Sequence, residues 1–309
     1  MTASRQIKVV FSVLLIACMA GSVLLLRGLD RLRSHATLEE VLYIPSPKVM
    51  KRLSLGYDGL LADIYWTRAV QYFGNKLNVG AENFNLLAPL LEITTALDPH
   101  LVVAYEYGSN FLAPHPPNGA GMPDRAIKLD EFGILNNPNE WRLYYDLGFI
   151  YYTELHDYAR AADAFVRGSR VPHAHPFLKI LAGQMAEHAG DLQTARAMWS
   201  LTYDTAQEKS IRANAAAHLR ALQVDEDVPV LEAIVERFRQ RTHQLPAGFA
   251  ELARLGWVRG IPVDPLGHPY KLMADGRVEL RDPDDFPFIR KGTPPGYKPP
   301  RMPKLLPPD

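Results

Sequence analysis

The chain has 309 residues, a length sufficient for one or two domains with a substantial core. Its residues are 47% hydrophobic and 22% charged, a composition typical of globular proteins. Lys and Arg together number 34, as do Asp and Glu, so the formal net charge is zero. Nucleic-acid-binding proteins usually carry a basic excess or patch, and this sequence shows neither. Its single cysteine, Cys18, excludes internal disulfides and cysteine metal sites.

An uncharged apolar run, Val9–Leu26, dominates the first 34 residues. Its length is at the short end of what a helix needs to cross the ~30 Å hydrocarbon core of a bilayer. The apolar core of a cleavable signal peptide is normally shorter, so we expect a retained transmembrane anchor within residues 1–34. The segment Leu15–Cys18 also resembles a bacterial lipobox, which leaves lipidation of Cys18 as an alternative.

The orientation of the anchor rests on weaker signals. Basic residues lie on both sides of the run, and their count leans slightly against export. Short N-terminal tails before a single span commonly remain in the cytoplasm. We therefore expect a single-pass protein of the bacterial inner membrane, with a cytoplasmic tail and a soluble part that is periplasmic or extracellular. Residues 35–52 read as a linker, interrupted by Pro45 and Pro47.

A pattern of small and aromatic residues recurs with a period of 34 to 35 residues in the centre of the chain. The first copy contains Tyr144, Leu147, Gly148, Tyr151, Ala161, Phe165 and Pro172, and the second contains Ala182, Gly183, Ala186, Ala195 and Trp199. Small residues allow two helices to approach closely, and aromatic residues fill the space beside that contact. Two more degenerate copies come earlier, with longer turns at Asn75–Asn83 and Ala113–Met122.

Residues 53–222 therefore resemble a tetratricopeptide-repeat protein with about four units. The resemblance implies a mainly α-helical fold, an α-solenoid of helical hairpins, with a groove that binds a peptide or helix of a partner protein. The groove positions of that family fall here on Arg142, Tyr145, Phe149, Tyr152, Gln184 and His188. An alternative is that these side chains pack against the C-terminal part of the chain, which would then fill the groove itself.

Residues 223–290 are expected to form a small α+β module. Val228–His243 has apolar residues at helical spacing. Residues 245–280 resemble the C-terminal segment of type II secretion pseudopilins, in which an Asp-Pro-x-Gly-x-Pro-Tyr string precedes short strands. Here the strands are predicted at Tyr270–Met273 and Arg277–Leu280, joined by an Ala-Asp-Gly turn. The proline-rich residues 291–309 are predicted to be a flexible tail.

Candidate metal and catalytic residues are few. His173 and His175, or the aspartates at 282, 284 and 285, could bind a metal, but both sets lack further ligands at the spacing of known sites, so no metal or cofactor is expected. No nucleophile, phosphate-loop or metalloprotease motif is present. The sequence thus predicts a scaffold for protein partners in an envelope secretion or filament assembly, with no small-molecule substrate, and not an enzyme. An accessory subunit of a membrane enzyme complex is the alternative.

Overall fold

The computed structural model describes residues 13–23, 25, 27, 46–300 and 305–306. The described chain is mainly helical, which confirms the mainly α-helical class predicted from the sequence. By its backbone contacts the chain divides into two compact units. The first comprises Met1–Pro99 with Pro116–Ala120, and the second comprises His100–His115 with Gly121–Asp309.

The first unit contains a helical pair capped by a short helix. Its helices are α1 (Pro47–Leu53), α2 (Asp58–Asn78) and α3 (Leu87–Leu97). The last of these is almost wholly apolar, and it packs against both α1 and α2. The ring of Phe73 on α2 lies 5.7 Å from the ring of Phe84 in the connecting loop, which closes the pair at one end.

The second unit is a series of helices in which each packs against the next. They are α4 (Val102–Leu112), α5 (Pro123–Asn136), α6 (Trp141–Thr153), α7 (Tyr158–Ser169), α8 (Phe177–Ala189), α9 (Leu192–Thr205) and α10 (Lys209–Thr242). From α6 to α9 the order of the helices and their short turns match the two central copies of the sequence pattern, with one hairpin to each copy.

Glycine and an aromatic ring meet wherever two helices of a central pair cross. A Cβ atom added at Gly148 on α6 would overlap the ring of Phe165 on α7, and one at Gly183 on α8 would lie 2.9 Å from the Trp199 ring on α9. Real Cβ atoms do not approach that closely. The ring therefore occupies the space of the missing side chain, and no other residue fits at these positions without a shift of the ring or of the helices.

The second helix of each central pair starts at an aspartate. Asp157 Oδ1 accepts a hydrogen bond from the backbone N–H of Arg160 at 2.8 Å, and Asp191 Oδ1 accepts one from Thr194 at 3.0 Å. Such N-caps satisfy backbone donors that the helix itself leaves unpaired. The two aspartates are 34 positions apart, so the caps repeat with the same period as the glycine contacts.

The longest helix, α10, differs from its sequence prediction. Its start was predicted at Val228, and this is wrong: the helix begins at Lys209 and continues through Pro229 to Thr242. The added half is rich in alanine, the strongest helix former, and most of its alanines are buried against the preceding helix. The predicted boundary between residues 222 and 223 therefore falls inside a continuous helix.

The second half of α10 carries the C-terminal module. The module contains α11 (Phe249–Arg254) and an antiparallel hairpin of β1 (Lys271–Leu272) and β2 (Val278–Glu279), shorter than the predicted strands. Gly276 adopts the positive φ of 90° that the hairpin turn requires. Its core is apolar and continuous with α10, comprising Val224, Val228, Leu231, Val235, Phe238, Phe249, Leu252, Tyr270, Val278, Leu280 and Phe286.

A segment after the hairpin fastens this module to the helical series. The imidazole of His218 on α10 lies between the rings of Trp199 and Phe288, with centroid distances of 3.9 and 3.7 Å. The buried carboxylate of Glu187 on α8 accepts hydrogen bonds from Trp199 Nε1 at 2.5 Å and His218 Nδ1 at 2.9 Å. Arg290 donates to the backbone carbonyl of Glu187. Removal of Trp199 or His218 would take from the buried Glu187 carboxylate one of these two hydrogen bonds.

Only part of each terminal prediction falls on described residues. Residues 13–23 are helical and their apolar side chains are mostly exposed. Residues 1–12, 24, 26 and 28–45, which include part of the predicted anchor and linker, lie outside the described residues. Among the described residues, no helix is long and apolar enough to span a membrane. In the tail, residues 291–300 have no helix or strand, and 301–304 and 307–309 lie outside the description.

The glycine contacts give a direct test of the packing. Gly148→Ala should destabilise the protein by about 1–3 kcal/mol, because the new methyl group overlaps Phe165 and forces the helices apart. Gly74→Ala on α2 is the matched control: nothing lies within 4 Å of its added Cβ, so the substitution should stabilise by about 0.5–1 kcal/mol. Melting temperatures of the two variants measure the difference. Equal shifts in the same direction would contradict the close helix contact.

Candidate partner-binding site

A row of partly exposed aromatic side chains runs along the second unit. It begins with Trp141, Tyr145, Phe149 and Tyr152, which share one face of α6 because they are three or four positions apart. Tyr158 at the start of α7 and His188 at the end of α8 continue it. Successive ring centroids are 6.3, 4.6, 6.2, 6.1 and 5.3 Å apart. These six side chains are called the aromatic ladder below.

One end of the ladder opens into a cavity of about 460 Å³ between α4, α6 and the start of α8. It is called the acidic cavity because two carboxylates, Glu106 and Asp146, face it together with the amide of Asn110. The rest of its wall is mainly aromatic, formed by Tyr107, Trp141, Tyr145, His175 and Phe177. The site thus combines apolar ring surface with negative charge.

Arg142 is the basic side chain of this cavity. Its guanidinium lies over the Trp141 ring at 4.8 Å, and it pairs with Glu140 at 2.8 Å and more loosely with Glu106 at 3.7 Å. About half of the Arg142 side chain is exposed to solvent, so these ion pairs contribute little to stability. They show instead how the cavity accommodates a planar cation, with a ring on one side and carboxylates at the edge.

Two carboxyl groups near Arg142, those of Asp146 and Glu106, have raised pKa values. Burial raises the pKa of Asp146 to about 7, with a smaller contribution from the charge of Glu106, and the amide of Asn110 opposes the shift as a 3.5 Å donor. Burial likewise raises the pKa of Glu106. In the described part of the chain, Asp146 has no ion pair.

A third carboxyl group, Asp130 on α5, is fully buried behind these two. Burial, followed by the charge of Asp146, raises its pKa well above the ordinary range. Neither of its carboxyl oxygens has a hydrogen-bond partner among the described residues, and the nearby Ser109 hydroxyl, which donates to the Glu106 carbonyl at 3.3 Å, offsets only part of the rise in pKa. Burial therefore favours the protonated, uncharged form of Asp130.

A second cavity of about 460 Å³ adjoins the first. The two share His175 and Phe177, and the second extends over Lys179 and Ile180 of α8 to the turn between α9 and α10. The ladder and the two cavities together give an open surface on α6, α8 and the turns beside them.

The structure places the six residues predicted for a groove at or near this surface. Arg142 and Tyr145 line the acidic cavity, Phe149 and Tyr152 belong to the ladder, and His188 is its last member. Gln184 is half-buried on α8, one turn before His188, whose ring nitrogen lies 2.8 Å from the Gln184 carbonyl oxygen. The C-terminal segment contacts Glu187 and His218 instead, and the three ladder residues Tyr145, Phe149 and Tyr152 remain partly exposed.

Other candidates from the sequence have ordinary surroundings. His175 lies 6.1 Å from the Trp141 ring and accepts a hydrogen bond from the Phe177 N–H, while His173 is an exposed turn residue. Asp284 accepts a hydrogen bond from the Tyr297 hydroxyl at 2.9 Å. Within the described residues, no group of three or more His, Cys, Asp or Glu is placed to hold a metal ion. Cys18 is exposed, and its lipidation stays a prediction.

Sequence reasoning missed four contributors to this site. Trp141 could have been found, because it lies four positions before Tyr145 and continues the helical spacing of the ladder, whereas Tyr158 begins the next helix, α7. Glu106 and Asp146 gave no such signal, since carboxylates on amphipathic helices are normally solvated. Compared with known proteins, the chain matches no protein-family model, and no curated protein is significantly similar to it.

The buried carboxyl groups predict an unusual dependence of stability on pH. A carboxyl whose native pKa is raised binds its proton more tightly in the folded state, so stability is lost as pH rises from the unfolded value, near 4, towards the native value. Each such group contributes a slope of up to about 1.4 kcal/mol per pH unit. Asp157 and Asp191, whose pKa values are lowered, are already ionised above pH 5 and add no slope there.

Asp130→Asn isolates this effect, because the amide resembles the protonated carboxyl that the native state prefers. The melting temperature of the natural protein should fall between pH 5 and pH 8. The melting temperature of the variant should fall less over the same range, so the variant should be the more stable of the two at pH 8. Asp163→Asn, an exposed carboxylate on α7, should leave the profile unchanged. A loss of stability in Asp130→Asn at both pH values would show that the ionised form is needed for folding.

Proposed function

We propose that the chain is a membrane-anchored scaffold that holds an extended segment of a partner protein along the aromatic ladder. The observation that carries this proposal is the ladder itself, six adjacent rings left partly exposed beside two cavities. Exposed aromatic patches of this size are typical of interaction surfaces. The proposal assigns binding without catalysis and requires no cofactor.

The aromatic residues suit this role energetically. Tyr and Trp bury large areas and lose little conformational entropy, since only two side-chain torsions become fixed on binding. A few such residues commonly supply most of the affinity of an interface. Tyr145, Phe149 and Tyr152 are also backed by buried neighbours, with the Phe165 ring 5.6 Å from Phe149. The surface is therefore ordered before the partner arrives, which lowers the entropic cost of binding.

We interpret the pairs from α2 to α9 as four hairpins of the tetratricopeptide type. Three features support the interpretation: the 34-to-35-residue spacing, the glycine–aromatic contacts at Gly148 and Gly183, and the aspartate caps at Asp157 and Asp191. In this family the first helices of the hairpins line the binding groove. The ladder lies largely on α6, which is such a first helix.

We place the anchor in residues 9–26 and the helical body outside the cytoplasm of a bacterial cell. The helical residues 13–23 support the anchor, because their side chains are apolar and exposed: Val13, Leu14, Leu15, Ile16 and Met19 are each at least 60% exposed. Single apolar side chains are common on protein surfaces, but a continuous exposed run is not. The resemblance of residues 245–280 to pseudopilins points to secretion or surface-filament machinery as the partner class.

Binding along the ladder is tested by removing two rings that lie outside the acidic cavity. Tyr152→Ala combined with Tyr158→Ala should reduce affinity for the co-purifying partner by about 30-fold or more, since an aromatic anchor commonly contributes about 2 kcal/mol. The measurement is the yield of partner captured by the full-length chain from membranes solubilised in a non-ionic detergent. Tyr57→Ala, a 69% exposed tyrosine of the first unit, is the control and should capture normally.

The identity of the captured protein then separates the two functional classes. Components of a secretion or filament assembly support the scaffold role. A single membrane enzyme whose activity depends on this chain would replace it with the accessory-subunit role. Normal capture by the double variant would exclude the ladder as the binding surface.

The two forms of anchoring are separated by two variants. Cys18→Ser should leave the protein in the membrane fraction if the apolar run spans the bilayer, because the change is small and the helix is retained. Leu15→Arg combined with Met19→Arg should release it, since each charge near the centre of a span costs about 2.5–3.5 kcal/mol. Release by Cys18→Ser alone would show that a lipid on Cys18 is the anchor. Membrane and soluble fractions are compared by immunoblotting.

A further inference from the structure

We propose that the acidic cavity binds an arginine side chain of the partner segment. This inference rests on the proposed function, because only that function makes the bound arginine part of a partner protein. The cavity, the charges around it and the position of Arg142 each support a cationic, planar occupant. The ladder would then bind the flanking residues, because Trp141 and Tyr145 belong to both surfaces.

The first argument is charge complementarity. Three carboxyl groups that can carry charge lie in or beside the cavity, Glu106, Glu140 and Asp146, and Glu106 interacts electrostatically with each of the other two. Arg142 pairs with two of them and leaves Asp146 without a cation in the described part of the chain. A negatively charged ligand would be repelled from this wall. An incoming cation would provide the partner that Asp146 lacks.

The second argument is the shape and chemistry of the wall. Aromatic faces attract cations through the ring quadrupole, and the attraction increases where water is excluded. Tyr107, Trp141, Tyr145, His175 and Phe177 supply such faces around the carboxylates. A guanidinium group stacks on a ring and donates to carboxylates from its edge at the same time, which a compact ammonium group does less well. The cavity volume of about 460 Å³ leaves room for the side chain and its stem.

The third argument comes from Arg142 itself. The guanidinium of this residue already takes the expected position at the rim, 4.8 Å above Trp141 with Glu106 and Glu140 at its edge. The chain thus supplies one example of the proposed interaction within its own structure. A second guanidinium would lie deeper, between Asp146 and the rings of Tyr145 and Phe177.

The environment of Asp146 adds a signature that ordinary peptide binding lacks. Its pKa is about 7, so near neutral pH roughly half of the molecules have a neutral side chain at this position. A cation binds the ionised form, and binding therefore releases a proton. If only the ionised form binds, the affinity should rise about tenfold between pH 6 and pH 8, in step with the ionised fraction. Glu106 and Asp130 face Asp146 from α4 and α5, Arg142 lies beside it on α6, and His175 lines the same cavity from the turn before α8.

The experiment follows the four tryptophans of the full-length chain by fluorine NMR after incorporation of 5-fluorotryptophan, in a maltoside detergent that carries no cationic head group. Trp141→Phe identifies the signal of the cavity. The probes are two short acetylated and amidated peptides, Gly-Ala-Arg-Ala-Gly and the same peptide with citrulline in place of arginine. Citrulline has the same shape as arginine and no charge, so the pair isolates the contribution of the cation.

The arginine peptide should shift the Trp141 signal, and the citrulline peptide should bind at least tenfold more weakly. Affinity for the arginine peptide should increase about tenfold from pH 6 to pH 8 in the natural protein. Asp146→Asn should weaken binding and remove this pH dependence, while the matched change Asp163→Asn on the exposed face of α7 should do neither. A lysine peptide that binds as tightly would replace arginine with a general cationic side chain and overturn the specific proposal.

Equal binding of the arginine and citrulline peptides, or no shift of the Trp141 signal by either, would overturn the inference. Its failure is distinguishable from that of the proposed function, because the ladder test changes Tyr152 and Tyr158 and leaves the cavity intact. Partner capture that depends on the ladder, without an arginine site, would retain the function and remove the inference. Arginine-peptide binding without partner capture would retain the cationic site and remove the scaffold role.

Discussion

The architecture of the second unit depends on contacts in which a glycine of one helix receives an aromatic ring of the next. Such a contact fixes the distance between the helices and also their rotation, because the glycine must face the ring. On α6, the inward face set by Gly148 also contains Tyr144, Leu147 and Tyr151, all buried. Positions 145, 149 and 152 are consequently turned towards the outer edge. The contact that fixes the packing of the core therefore also leaves the ladder residues at the surface.

This dependence explains which parts of the fold were predictable from the sequence. The helices around Gly148 and Gly183 could be predicted, since close contact restricts the residue types and repeats them at a fixed spacing. The start of α10 at Lys209 could not, because an alanine-rich stretch has no amphipathic stripe to mark a boundary, and Pro229 suggests an interruption that the helix tolerates. The stacking of Phe288 on His218 joins residues 70 positions apart, and no local pattern predicts such a contact.

The candidate site was predictable to a similar degree. Its aromatic half follows from helical spacing, so Tyr145, Phe149 and Tyr152 could be assigned before the structure was known. Its acidic half depends on burial: Asp146 and Asp130 read as solvated helix residues in the sequence, and only the packing of α4, α5 and α6 removes them from water. A sequence gives the identity of an ionisable group, but the three-dimensional packing determines its pKa.

The buried carboxyl groups work against the stability of the fold that creates them. An asparagine or leucine at position 130 would avoid the desolvation of an acid with no hydrogen-bond partner, and an asparagine at position 146 would do the same at the cavity wall. Residues that lower the stability of the fold and make no compensating contact are typical of functional sites. Asp146 lies in the wall of the acidic cavity and Asp130 lies behind it, and this location beside the ladder is the strongest physical reason to regard that wall as a binding surface and not as a packing defect.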